Sequence, residues 1–191
     1  MTTAKVGEVP VFYLEPTPEA LAASGGRRRL IIWLPGFSGT KESVLPRLED
    51  LAADGFTALS FDMAQHGERL VDADGARPAT SPPLPLFPRP SFHSPPCAAE
   101  TFVLRVRSNL RKYFWEILAQ SAEEIPSLID WAIETLGCEP LVGVGGQSAG
   151  GDTALAAAGA PPWLPLCRLE SLKWGRVCGN TQGWTRGSAC A

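Results

Sequence analysis

The segment over residues 141–151, LVGVGGQSAGG, constrains this chain more than any other stretch. It contains the pattern G-x-S-x-G, in which Ser148 stands between Gly146 and Gly150. An apolar run precedes the pattern and a run of small residues follows it, which predicts a strand, a tight turn and a helix. Glycine on either side of the serine lets the backbone bend sharply and lets the helix pack close to the strand. This arrangement is typical of a nucleophile elbow, in which the serine side chain projects from the end of a sheet.

Other glycine-rich loops fit this segment less well. A dinucleotide-binding loop needs a third glycine at the position that Ser148 occupies. A phosphate-binding P-loop needs a lysine after the glycines, and none follows here. A glycine-rich turn around a buried serine is the alternative that the pattern leaves open.

The first part of the chain predicts a β-α-β unit. Residues 28–34, RRLIIWL, form an apolar run that reads as a buried strand, and residues 56–61, FTALSF, form another. Between them, residues 45–53 show helical spacing after a cap at Thr40, and Gly55 ends the helix. Two strands joined in this way are expected to be parallel, with a right-handed crossover.

Two further elements follow from apolar spacing. Residues 11–14 predict a short edge strand. Residues 114–136 keep apolar positions at steps of three and four across Pro126, which predicts one kinked helix or two helices in near-continuation. Ser121 and Glu124 fit a capping box if a second helix begins there. Gly137 ends the pattern.

Composition narrows the classes of partner. The 191 residues are 45% hydrophobic, which suits a globular domain. A net charge of −3 argues against nucleic acid, and the lack of a long apolar run argues against a membrane partner. The N-terminus lacks the apolar core of a signal peptide, and the five cysteines show neither a metal pattern nor an even disulfide set. We therefore expect a cytoplasmic protein without a metal or cofactor, and the sequence predicts no oligomeric state.

Domain organisation is uneven. Residues 1–160 are expected to form the domain, and residues 77–97 are a proline-rich insertion that cannot hold a helix or a central strand. This insertion is expected to be flexible, with a partly extended lid as the alternative. Residues 161–191 lose all periodicity and are rich in Trp and Cys, so they are expected to be an irregular, disordered tail unrelated to the domain.

Four segments in order resemble one superfamily. They are IIWLPGFSGTKES, GFTALSFDMAQHGER, RKYFWEILAQSAEEIPSLIDWAIETL and GGQSAGGDTAL, which together span about residues 28–160. This combination resembles the α/β-hydrolase esterases related to dienelactone hydrolase and to the catalytic domain of prolyl oligopeptidase. The resemblance implies an α/β fold with a mostly parallel, doubly wound sheet, here incomplete. It also implies a Ser-Asp-His triad that hydrolyses a small-molecule ester or another acyl substrate.

The resemblance assigns roles to particular residues. Ser148 corresponds to the nucleophile, and the backbone N–H of Ala149 to one donor of the oxyanion hole. Gly36 and Phe37 follow the first buried strand, where such hydrolases place the second donor, and the Phe37 N–H is the expected group. The remaining elbow residues are Gly146, Gln147 and Gly150.

The loop after the second strand carries polar residues at the carboxyl end of a parallel strand, where α/β sheets place their sites. Asp62, His66 and Arg69 are therefore candidates for a pocket wall or a substrate contact. The alternative, which the residue types favour, is a structural cluster of hydrogen bonds and ion pairs that fixes the loop.

The histidines depart from the superfamily pattern. The triad order is serine, acid, then histidine, but His66 and His93 both precede Ser148 and none follows it. Asp152 lies too close to Ser148 to serve as the distant acid, and His66 is a weak candidate for a substitute base. A serine hydrolase is thus predicted from the resemblance, and an inactive truncated form or a non-catalytic binding relative is the alternative.

Overall fold

The computed structural model of the chain describes residues 2–70 and 98–159. Within these residues it has five strands and five α-helices. The strands are β1 (Thr2–Val6), β2 (Val9–Leu14), β3 (Arg29–Leu34), β4 (Phe56–Phe61) and β5 (Val142–Gly146). The helices are α1 (Pro18–Ala23), α2 (Leu45–Ala53), α3 (Ala98–Ser108), α4 (Leu110–Leu136) and α5 (Ala149–Gly159).

The five strands form one mixed sheet in the order β1-β2-β4-β3-β5. The pairs β1–β2 and β2–β4 are antiparallel, whereas β3 pairs in parallel with both β4 and β5. Every residue of β4 is buried, as expected for a strand covered on both faces. The carboxyl ends of β3, β4 and β5 therefore meet at one edge of the sheet.

Helices cover both faces of the sheet. On one face, α4 and α5 pack through side chains such as Leu118, Ile125 and Ala154 against Ile32 and Phe61. On the other face, α2 packs through Leu48 and Leu51 against alternate residues of the strands. Successive side chains along each strand point to opposite faces of the sheet, so each strand contributes to the hydrophobic cores on both faces. The predicted α/β class is confirmed, with a sheet between helical layers that is mixed, since two of its four strand pairs are parallel.

Several predicted elements are confirmed at or near their bounds. These are β3, β4, β5, α2 and α4. Helix α4 continues through Pro126 as one helix, and Gly137 ends it with a left-handed φ of +66°. Because glycine adopts a left-handed conformation at little energetic cost, the helix can end at this residue, and the helical apolar pattern ends with it.

Other expectations were wrong. Strand β2 is not an edge strand, because β1 pairs with its outer side. Ser121 caps no helix: it is buried in the middle of α4, where its Oγ accepts a hydrogen bond from the Ala64 N–H. The sequence did not indicate β1, α1 or α3. The domain expectations for residues 77–97 and 161–191 lie outside the described residues.

None of the described helices combines the length and the apolar content that crossing a bilayer requires.

Candidate active site

The turn between β5 and α5 consists of only two residues, Gln147 and Ser148. Ser148 has a φ of +52°, which is unusual for a residue with a side chain, and it is exposed. A Cβ atom built on Gly146 would lie 2.5 Å from the carbonyl carbon of Gly150, and one on Gly150 would lie 2.4 Å from the Pro35 oxygen. Strand and helix therefore approach so closely that both positions require glycine, and the serine between them is pushed outward.

The turn after β3 lies beside this serine. Leu34 pairs with Gly146 in the parallel ladder, and the Gln147 N–H donates to the Leu34 oxygen at 3.0 Å. A Cβ atom on Gly36 would lie 3.7 Å from the Cβ of Ser148. The two turns that the sequence assigned to nucleophile and oxyanion hole are thus in contact across neighbouring strands.

Phe37 is half-buried and anchors the turn through its ring. The ring lies 5.5 Å from that of Phe102, 5.7 Å from that of Phe114 and 5.4 Å from that of His66, measured between centroids. Its backbone N–H donates to no group within the described part of the chain. The ring contacts thus anchor the turn after β3.

Asp62, at the end of β4, is fully buried in an ion-pair cluster. Its Oδ1 accepts from the Lys41 N–H at 2.9 Å, and its Oδ2 accepts from Lys41 Nζ and from the Glu68 N–H, each at 3.0 Å. Gly67, with a φ of +52°, lies so close to this carboxylate that a Cβ there would sit 2.3 Å from the Asp62 Cγ. Asp62 therefore joins the loop after β3 to the loop after β4, which is a structural role.

Lys41 is the counter-ion of this cluster and is only 2% exposed. Its Nζ lies 2.8 Å from Glu42, 3.0 Å from Asp62 and 2.6 Å from Glu68. Burial alone would lower the pKa of Lys41, but the hydrogen bonds to Glu42 and Glu68 and the charge of Asp62 raise it above the ordinary value of a lysine. Lys41 is therefore charged at neutral pH.

His66 is buried, and only one of its ring nitrogens has a partner. Its Nδ1 lies 2.8 Å from the Ala64 oxygen, and because a carbonyl only accepts, Nδ1 carries the proton. The Nε2 has no hydrogen-bond partner within the described residues. Burial lowers the pKa of His66, against the opposing effects of the Ala64 carbonyl and the Asp62 charge. The ring is therefore neutral at physiological pH and packs edge-on against Phe37 and Phe102.

Arg69 forms a two-pronged ion pair with Glu124 of α4. The two bonds measure 2.7 and 2.6 Å, and a third bond of 3.1 Å reaches the Asp62 carbonyl oxygen. The three polar residues singled out in this loop thus point to protein groups, which agrees with the structural alternative for them.

Sequence reasoning missed two residues that hold this edge together. The sequence analysis assigned no role to Lys41, and it interpreted Ser121 as a possible helix cap. Each has its partner on a different element, Asp62 for Lys41 and Ala64 for Ser121. A local pattern contains no signal for either pairing.

One cavity among the described residues, of about 350 Å³, lies between the β1–β2 hairpin and α4. Its lining includes Val6, Val9, Gln120 and Leu128, and neither Ser148 nor the turn after β3 contributes to it. No cluster of potential metal ligands occurs within residues 2–70 and 98–159.

Comparisons with known proteins give similarities of structure only. A scan against protein-family models and a search of curated proteins found no match. Among solved structures, TT1662 from Thermus thermophilus is similar with a TM-score of 0.46 and 23% identity, over 81% of this chain and 50% of that one. Est1E from Butyrivibrio proteoclasticus, solved with ferulic acid bound, has a TM-score of 0.46 and 15% identity, over 83% and 47%. Esterase 2 from Thermogutta terrifontis has a TM-score of 0.43 and 18% identity, over 79% and 42%.

This chain thus spans half or less of the length of these three structures. One of the three, from Thermogutta terrifontis, is named as an esterase. Similarities at this level assign no activity to the chain.

Proposed function

We propose that this chain carries the nucleophile and the oxyanion donors of a serine hydrolase that acts on carboxylic esters or related acyl compounds. The observation that supports this is the geometry of Ser148: it is exposed, at a left-handed φ, in a two-residue turn between strand and helix. Holding a non-glycine residue in this conformation costs about 1–3 kcal/mol. Such strain is typical of sites where a side chain has to be presented in one orientation.

The proposed reaction is acyl transfer. The Ser148 Oγ attacks the acyl carbon, the alkoxide leaves with a proton, and water then releases the acid. The negative charge on the carbonyl oxygen is stabilised by the N–H groups of Ala149 and Phe37. Ala149 is the first residue of α5, so its N–H has no partner within the helix, and the positive end of the helix dipole lies there.

The proton acceptor is the missing part of this mechanism. Asp152 is an exposed residue in the first turn of α5, four positions from the serine. His66 is buried, its ring packs against Phe37 and Phe102, and its Nε2 makes no hydrogen bond to Ser148 or to any other described residue. No histidine follows Ser148 in this sequence. Without a base the hydroxyl is a weak nucleophile, and removing a triad member leaves only about 10³–10⁴-fold rate enhancement over water.

The lack of a histidine after Ser148 supports a second candidate function. In this second candidate, the chain is a non-catalytic or inactive form that binds an acyl compound beside Ser148 without turning it over. The two candidates differ in whether Ser148 forms a covalent bond.

The test uses a fluorophosphonate, which phosphonylates reactive serines, together with a short-chain aryl ester, on the purified monomeric chain. We expect slow labelling located on Ser148 by mass spectrometry, and hydrolysis far below ordinary enzyme rates. Ser148→Ala should abolish both signals. The matched control is Ser38→Ala, because Ser38 is also exposed and also has a left-handed φ, of 65°, in the turn next door.

The outcomes separate the candidates. Labelling that persists in Ser148→Ala would contradict the assignment of the nucleophile. No labelling at all in the folded parent would favour the binding form. Turnover at ordinary rates would mean that a base is present, and His66→Ala and His93→Ala would identify it.

A further inference from the structure

Exposed apolar side chains are concentrated at one corner of the molecule. Among the described residues, five large hydrophobic side chains are exposed, and three lie in one short stretch. Leu104 near the end of α3 is 60% exposed, and Leu110 and Trp115 at the start of α4 are 55% and 59% exposed. We call residues 104–115 the α3–α4 corner. Single exposed hydrophobics are normal on a protein surface, but a group of them marks a contact surface.

Helices α3 and α4 are packed against the protein even though these three side chains are exposed. Phe102 and Val106 of α3 are buried against Ile117 of α4 and against Ala64 and Leu70 of the loop after β4. Both helices thus already use an apolar face to dock on the protein. Leu104 on α3 and Leu110 and Trp115 on α4 remain exposed to solvent. Leu110 lies one turn before Phe114, which packs against the core, and Trp115 lies about 140° around α4 from Leu110.

The charge at this corner has one sign. Between Leu104 and Trp115 the sequence has no acidic residue, although the whole chain has a net charge of −3. Four cations lie in this stretch, namely Arg105, Arg107, Arg111 and Lys112. Several arginines elsewhere in the described residues pair with acids, as Arg27 does with Glu139 and Arg69 with Glu124.

No salt bridge to an acid involves the corner's cations within the described part of the chain. Arg105 donates to the amide oxygen of Gln65, and Lys112 lies 5.3 Å from the centre of the Tyr113 ring. Arg107 and Arg111 are exposed. Leu104 and Arg107 are three residues apart on α3, and Arg111 and Trp115 are four apart on α4, so each pair shares a helix face. On each of the two helices, a cationic side chain therefore lies beside an exposed apolar one.

We propose that the α3–α4 corner binds the surface of a bilayer that contains anionic lipid. Leucine and tryptophan side chains partition into the boundary between headgroups and acyl chains. Arginine and lysine side chains reach from there to the lipid phosphates, each contributing electrostatic attraction near the surface. The absence of acids within residues 104–115 reduces the local repulsion from anionic lipid, although the exposed Glu116 follows directly.

This proposal differs from the expectation of no membrane partner. That expectation rested on the lack of a spanning segment, and interfacial binding needs none. Nucleic acid is a less suitable occupant. Its phosphates would pair with the cations and a base would stack on Trp115, but Leu104 and Leu110 would remain exposed to water.

The test is co-sedimentation of the purified full chain with vesicles of phosphatidylcholine alone, or of phosphatidylcholine with phosphatidylserine at about two to one. We expect binding to the anionic vesicles and little to the neutral ones. Two triple variants probe the corner, Arg107→Glu/Arg111→Glu/Lys112→Glu for charge and Leu104→Ser/Leu110→Ser/Trp115→Ser for apolar contact. Reversing three cations should weaken binding by roughly a hundredfold or more.

Controls use exposed residues away from the corner. Leu155→Ser on α5 removes an exposed leucine, and Lys5→Glu on β1 reverses an exposed cation, and both should bind like the parent. All variants change exposed side chains, so circular dichroism should show the parent's fold. A blue shift of tryptophan fluorescence on anionic vesicles that Trp115→Phe loses would place Trp115 in the bilayer.

Three results would overturn the proposal. Equal binding of parent and both triple variants would place any lipid contact elsewhere. No binding of the parent to anionic vesicles would exclude it directly. Binding to single-stranded RNA that depends on the cations and Trp115, but not on Leu104 and Leu110, would identify nucleic acid as the occupant instead.

Discussion

The turn around Ser148 and the loop from Asp62 to Arg69 follow the two strands that flank β3, at the same edge of the sheet. The turn is built from backbone: glycines bring strand and helix into direct contact, and the serine points out to solvent. The loop is built from side chains: Asp62, His66 and Lys41 are buried in it, and charges are neutralised inside the protein. One edge of a sheet can therefore hold a turn that exposes a reactive side chain beside a loop whose polar side chains stabilise the fold. The burial of the polar side chains distinguishes the two better than their residue types do.

The largest expected effect is on the supporting loop. Lys41→Met leaves the Asp62 carboxylate buried without its counter-ion, which should cost about 3–5 kcal/mol in the free energy of unfolding. Urea denaturation measures this loss. Lys5→Met is the matched control, because the exposed pair of Lys5 and Glu8 should contribute at most about 1 kcal/mol. If Lys41→Met costs no more than this control, the loop is not held by its buried charges.

The turn around Ser148 should instead be destabilised by steric clashes. Gly150→Ala places a Cβ atom 2.4 Å from the Pro35 oxygen and 2.6 Å from the Leu34 oxygen. Backbone atoms cannot move aside as a flexible side chain does, so we expect destabilisation of about 3 kcal/mol in thermal or urea unfolding. Gly159→Ala, where a Cβ would meet nothing within 4 Å, should be neutral or slightly stabilising. Equal effects at the two positions would contradict close packing at the elbow.

A smaller effect is expected from pH, through His66. Burial lowers its pKa in the folded protein, so below about pH 6.5 the unfolded chain binds a proton that the folded chain does not. Stability should therefore be complete above that pH and fall as the pH drops, by at most about 1.4 kcal/mol per pH unit. His66→Gln should reduce this slope between about pH 5 and 6.5, while its stability should be independent of pH between about pH 7 and 8. An unchanged slope in the variant would assign the pH dependence to other groups.

The smallest effect is expected at Ser148 itself. Because Ser148 is exposed and strained, Ser148→Gly should relieve the left-handed φ and raise the free energy of unfolding by about 0.5–1 kcal/mol. Ser148→Ala keeps the strain and should leave stability unchanged. Differential scanning calorimetry of the three proteins compares them. A loss of stability in Ser148→Gly would mean that the hydroxyl makes a structural contact, and would weaken its assignment as a nucleophile.

Local signals predicted the elements whose sequence decides their structure. The runs RLIIWL and FTALSF read as buried strands because they are apolar throughout, and the glycines around Ser148 indicated a tight turn. Strand β1, with the sequence TTAKV, was missed because one face of it is exposed and its five residues carry no strong alternation. Missing it made β2 look like an edge.

The candidate site was predictable to a similar extent. Parallel pairing of β3 and β5 brings Gly36 beside Ser148, as the roles assigned from the superfamily resemblance required. The pairing of Lys41 with Asp62 did not follow from the sequence, since the two residues are 21 positions apart and Lys41 also has an acidic neighbour, Glu42, with which it pairs. Long-range electrostatic pairing leaves no periodicity in a sequence.

The position of β5 also bears on how the chain folds. Strands β3 and β4 with α2 form a unit that is local in sequence, whereas α3 and α4 lie between β4 and β5 in the chain. Arg27 and Glu139, which bracket the start of this pairing, are 112 residues apart in the chain and form two hydrogen bonds of 2.8 Å. Closing so long a loop is entropically costly, and contacts of this kind slow folding. We therefore expect the environment of Ser148 to be assembled late, after most of the hydrophobic surface around it has been buried.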